Sequence, residues 1–96
     1  MSAAEFVVRG AEFLRIRKEV LSGRGRAPNV VQAREMLATL GVERFGLRVK
    51  DIGAEFDKSA EAGSRMVSRG IEKRLVDESF REKLEALDSH IARLNG

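Results

Sequence analysis

Phe6, Phe13 and Val20 recur every seven residues, and Val7, Leu14 and Leu21 repeat that interval one position on. Side chains at this spacing share one stripe of a helix, so the pattern predicts a leading helix over residues 5–21. The stretch Ser22-Gly23-Arg24-Gly25-Arg26-Ala27-Pro28 ends it, because two glycines and a proline do not continue a stable helix. Asn29 is an N-cap residue type directly before Val30, and Val30, Ala33, Leu37 and Leu40 then lie on one face of a second helix. That helix is expected to run past Gly41 to Phe45, with Gly46 supplying a left-handed ending and Leu47 folding back over it.

A short helix from Val49 to Phe56 pairs Ile52 with Phe56 at i, i+4. After a turn at Asp57-Lys58, Ser59 is placed to cap a helix from Ala60 to about Leu75, with Met66, Val67, Ile71 and Leu75 as inward candidates. The last helix has the plainest period. Asp77 can cap it, and Phe80, Leu84, Leu87, Ile91 and Leu94 step by alternating intervals of four and three, opposite a charged face of Glu78, Arg81, Glu82, Lys83 and Glu85. Strand signals are nearly missing: there is no Asn-Gly or Asp-Gly hairpin and no sustained alternation. The expectation is an all-α fold, a five-helix bundle formed as a single domain over 1–96. Its parts are a leading helix at 5–21, a basic loop at 22–28, a helix-turn-helix core at 29–75 and a closing helix at 78–94.

Composition agrees with one core and narrows the chemistry. The chain has 96 residues, 43% apolar and 34% charged, enough for one domain and too few for two. No apolar run approaches the roughly 20 residues that span a bilayer, and Met1-Ser2-Ala3-Ala4-Glu5 lacks the basic-then-apolar layout of a secretory signal. Cysteine is absent, which removes disulfides and thiolate metal sites, and a cytoplasmic location is expected. His90 is the only histidine and is read as a surface residue, not a metal ligand; there is no tyrosine or tryptophan. The composition points away from an enzyme, and no cofactor is expected. Ser22-Gly23-Arg24-Gly25-Arg26 lacks the Gly-Lys-Ser/Thr ending and preceding strand of a phosphate-binding loop.

Charge changes the picture more. The net charge of +3 hides two basic blocks. Residues 9–34 carry seven basic side chains against two acidic, residues 58–74 carry five against two, and residues 75–96 carry three against five. With a pI near 9.8, the balance favours a polyanionic partner, although such blocks also serve as plain solvated helix faces. The second block falls on the longer helix of a helix–turn–helix at Val49–Arg69, the arrangement that presents a recognition helix to the major groove. Its outward side offers Glu61, Ser64, Arg65, Ser68 and Arg69; arginine can hold guanine through two hydrogen bonds, and serine can reach a base or a phosphate. The apolar stripe of the 78–94 helix is either ordinary core or a seam for a homodimer or partner protein.

The residues Arg24–Arg69 resemble the carboxy-terminal DNA-binding domain of the bacterial replication initiator DnaA, a Trp-repressor-like helix-turn-helix. The matching parts are the basic loop Ser22-Gly23-Arg24-Gly25-Arg26, the long helix Val31-Gln32-Ala33-Arg34-Glu35-Met36-Leu37, and Val49-Lys50-Asp51-Ile52-Gly53-Ala54-Glu55-Phe56. The resemblance implies double-stranded DNA as partner, with Arg24, Arg26 and Arg34 at the backbone or minor groove and the last of these helices in the major groove. With Lys58 and Ser59 at the turn, the candidate DNA-binding residues are Arg24, Arg26, Arg34, Lys58, Ser59, Ser64, Arg65, Ser68 and Arg69. The family's Asp-His-Thr-Thr is replaced by Ala60-Glu61-Ala62-Gly63-Ser64-Arg65. The segment Ser64-Arg65-Met66-Val67-Ser68-Arg69-Gly70 is similar instead to the Ser-Arg-x-Val-x-Arg-Gly of the related module appended to REP-associated tyrosine transposases. Two further positions depart from the family pattern: Asp57 stands where the turn usually has glycine, and Gly63 where the helix usually has valine or isoleucine.

Overall fold

A computed structural model describes residues 1–95, which form six helices and no strand: α1 (Ala3–Leu14), α2 (Lys18–Leu21), α3 (Pro28–Arg44), α4 (Val49–Glu55), α5 (Ala60–Val76) and α6 (Glu78–Asn95). The all-α expectation holds; the count of five does not. The predicted 5–21 helix breaks after Leu14, where Arg15 turns left-handed (φ 58°) and the Ile16 N–H donates to the Ala11 carbonyl at 3.0 Å. This is a Schellman-type ending made without glycine. The seven-residue period gave no sign of it, because both segments turn apolar residues inward. Phe6 and Val7 are buried from α1 and Leu21 from α2.

The helix α3 is the axis of the bundle. Every residue from 33 to 41 is buried, so it is covered on all sides and not along one stripe. Around it lie Phe6, Val7, Leu21, Ile52, Phe56, Phe80, Leu87 and Ile91, each with essentially no exposed surface. The Phe6 and Phe45 rings meet at 5.4 Å between centroids. Asn29 is not the cap of α3. Ala27 holds that position, with its carbonyl accepting from Val30 and Val31, and Pro28 opens the helix. Proline suits the first helical position, since its fixed φ is helical and it has no N–H to leave unpaired. At the other end Gly46 is left-handed (φ 66°), and the Leu47 N–H donates to the Gly41 carbonyl at 3.0 Å, as expected.

The caps of the last two helices also match. Ser59 Oγ accepts from the Ala62 N–H at 3.1 Å, and Asp77 Oδ1 accepts from the Phe80 N–H at 3.0 Å. Phe80, Leu84, Leu87 and Ile91 are buried in the chain's own core, so this stripe is not a free seam for a second copy or a partner. Three inward candidates are corrected. Leu94 is 50% exposed at the end of α6, Leu75 is 74% exposed, and Ile71 is only half-buried. The ties of α5 to α3 end at Lys73 and Arg74, which pair with Glu35 and Glu43, and its last turn carries Leu75 beyond them. His90 is half-buried and not on the open face, its ring 4.6 Å from that of Phe13. Among the described residues no helix is long and apolar enough to cross a membrane.

Candidate nucleic-acid interface

The turn between α4 and α5 is built from four residues, Phe56 to Ser59. Phe56 is buried, Asp57 is left-handed (φ 56°), and the Lys58 N–H closes back on the Gly53 carbonyl at 2.8 Å. A left-handed residue is what this turn requires, which explains a glycine preference and makes Asp57 a mildly strained occupant. Two glycines let the helices meet. A Cβ on Gly53 would sit 2.8 Å from the Ser59 carbonyl oxygen, and one on Gly63 would sit 3.0 Å from both the carbonyl oxygen and Cγ1 of Val49. Gly63 is thus a point of close approach between α5 and α4, and valine or isoleucine has no room there.

The basic loop and α5 face each other across a cleft of about 500 Å³. Arg24 and Arg26 line it from the loop, Lys58 from the turn, and Arg65 and Arg69 from α5, over a floor that includes Val31, Ala62 and Met66. Two basic blocks far apart in sequence are therefore brought to one concavity. Among the described residues Glu35 is the only carboxylate lining it; this side chain is buried and paired with Lys73. Arg24, Arg26, Arg65 and Arg69 are exposed and have no protein hydrogen-bond partner for their guanidinium groups among the described residues.

The remaining sequence candidates take up different positions around the cleft. Ser64 and Ser68 are exposed on the adjoining side of α5 and do not line the cleft. Ser59 is exposed, but its hydroxyl accepts the capping hydrogen bond. Arg34 lines the cleft from α3 but is only 6% exposed, and its guanidinium is turned onto backbone carbonyls, not outward with the other arginines. Its Nε donates to the Leu21 carbonyl (2.9 Å), Nη1 to Gly25 (3.0 Å), and Nη2 to Gly23 (2.9 Å) and Val20 (3.3 Å). Burial, and secondarily the charge of Arg26, lowers its pKa from the ordinary arginine value. An arginine rarely loses its proton in a protein, so this remains a buried cation satisfied by carbonyl oxygens. Lys58 has a double position: it lines the cleft while its Nζ donates to the same Gly23 carbonyl at 2.8 Å.

Sequence reasoning missed the polar ties behind the site. Thr39 Oγ1 donates to the Val67 carbonyl, Lys73 pairs with buried Glu35, and a Cβ on Gly70 would collide with Thr39 Oγ1. The available signal was Arg34-Glu35 and Thr39 set within an otherwise apolar helix, since buried polar groups in a core are there with partners. No family model matches the chain, and no curated protein matches it.

Proposed function

We propose that this chain binds double-stranded DNA and catalyses no reaction on it. In this reading α5 enters the major groove and the basic loop reaches the adjacent minor groove, so that one DNA strand runs along the cleft between them. The observation that carries the reading is the convergence of Arg24, Arg26, Lys58, Arg65 and Arg69 on one cleft beside a helix–turn–helix, with no free carboxylate lining it among the described residues. Phosphate contacts supply affinity and register, and base edges supply sequence preference. Arg65 is the base-reading candidate, being exposed on the first turns of α5 and able to hold guanine through two hydrogen bonds. The resemblance to the replication initiator favours a replication role; the Ser64–Gly70 segment favours an accessory module that binds the DNA ends of a transposon.

Selection of bound sequences from a random duplex pool at two salt concentrations tests this. Neutralising about four to six phosphates gives a slope of log K against log[salt] near −4 to −5. An enriched motif that changes in Arg65→Ala supports a sequence reader, and no binding even at low salt overturns the reading. A protein-docking role has one observation in its favour, the adjacent exposed side chains Leu75 and Val76 at the end of α5. It predicts association that survives high salt and is lost in Leu75→Asp.

A further inference from the structure

We infer that Arg34 is a positioning residue, whose guanidinium holds the basic loop at a set distance from α5 so that both act on one partner. The inference rests on the DNA-binding reading above. Residues 24–29 are all exposed, and the loop from 22 to 27 contains no large apolar side chain that could anchor it. Two glycines also widen its choice of backbone conformations. Yet its backbone is tied down. Arg34 reaches the carbonyls of Gly23 and Gly25 in the loop and of Val20 and Leu21 at the end of α2 just before it, and Lys58 shares the Gly23 carbonyl. Ser22 Oγ adds a bond to the Glu55 carbonyl at 3.3 Å, and α2, which leads into the loop, is itself held to α4 by Lys18 paired with Glu55 at 2.9 Å.

These ties refer the loop to three elements at once. Arg34 belongs to α3, Glu55 ends α4, and Lys58 lies just ahead of the cap of α5. The Arg34 bonds span positions 20 to 25, which takes a planar fork with donors at fixed angles. A lysine ammonium is a single point with three donors and cannot reproduce that spread. Arg24 and Arg26 therefore project from a backbone whose place relative to Arg65 and Arg69 is set before any partner arrives.

Two measurements on the full chain test this. In the free protein, 15N relaxation is expected to give order parameters near about 0.85 for residues 24–26, falling below about 0.6 in Arg34→Met. On a selected duplex, Arg24→Ala is expected to weaken binding about fivefold in the parent and less than about twofold beside Arg34→Met, because a loop that is no longer placed has little left to lose. A role in stability alone leaves the Arg24 effect equal in both backgrounds. That result, or a loop that stays ordered without Arg34, overturns the proposal. If Arg34→Met does not fold, Arg34→Lys carries the same two measurements; undiminished loop order together with an undiminished Arg24 effect then overturns it. A wild-type chain that binds no DNA, with loop order still lost in the variant, defeats the DNA reading while the bracing of the loop stands. DNA binding with an ordered loop in the variant defeats the positioning role and leaves the DNA reading intact.

Discussion

The helices α5 and α6 have nearly the same length, 17 and 18 residues, and are seated in opposite ways. The helix α6 buries Phe80, Leu84, Leu87 and Ile91, large side chains that fill the core and contribute by area removed from water. The buried residues of α5 are Gly63 and Gly70, and of its larger apolar side chains Met66 and Val67 are only partly buried against the core. It is held by proximity: backbone against Val49 at Gly63, backbone against Thr39 and Glu35 at Gly70, and polar ties from Val67, Lys73 and Arg74 to α3. Area fixes how strongly a helix is held. Close contact and directional bonds fix where it is held, and they leave its outer face free to carry Arg65 and Arg69.

This contrast can be broken most forcefully at α6. Leu87→Ala removes a fully buried side chain and is expected to destabilise the fold by about 2–5 kcal/mol, read from the urea midpoint at constant m. Gly70→Ala sharpens the comparison through its sign. Helix propensity alone favours alanine by about 1 kcal/mol, but a methyl group here meets Thr39 and the Glu35 carbonyl. Overpacking is expected to win, with a net loss of about 1–2 kcal/mol in the same titration. A stabilised Gly70→Ala protein would show that α5 is not closely seated. Arg65→Ala, on the free face, is expected to leave the unfolding midpoint unchanged while weakening duplex binding by about 1–3 kcal/mol. Asp57→Gly relieves a left-handed non-glycine residue and is expected to raise stability by about 0.5–1 kcal/mol in thermal unfolding. Leu75→Ser changes an exposed side chain, and its expected effect on the midpoint stays within about 0.5 kcal/mol.

The parts of the fold legible in the sequence are those decided locally. The caps at Ser59 and Asp77, the glycine ending at Gly46 and the stripe of α6 each depend on residues within a few positions of one another. The break at Arg15 was hidden because no glycine marks it and the apolar period continues across it. Leu75 fitted the inward pattern of α5, but how far α3 accompanies α5 is a tertiary fact. The candidate site divides the same way. The turn and the outward arginines of α5 follow from helix geometry. The resemblance places Arg34 on the DNA, and its bracing role is not legible beside that because its acceptors are backbone carbonyls, which every residue has and no sequence pattern distinguishes. Gly63 reads in the sequence either as a close approach of the helix to its neighbour or as lost packing, and Val49 against it decides for close approach.

The shared Gly23 carbonyl has a calorimetric consequence. Arg34 and Lys58 hold the backbone of the loop during folding, so the conformational entropy of ordering it, about 1–2 kcal/mol per residue, falls within the folding equilibrium and outside any later association. A partner that docks on this loop then binds as to a rigid surface. Titration of the intact chain should show a small heat-capacity change, without the large negative value that accompanies coupled folding and binding.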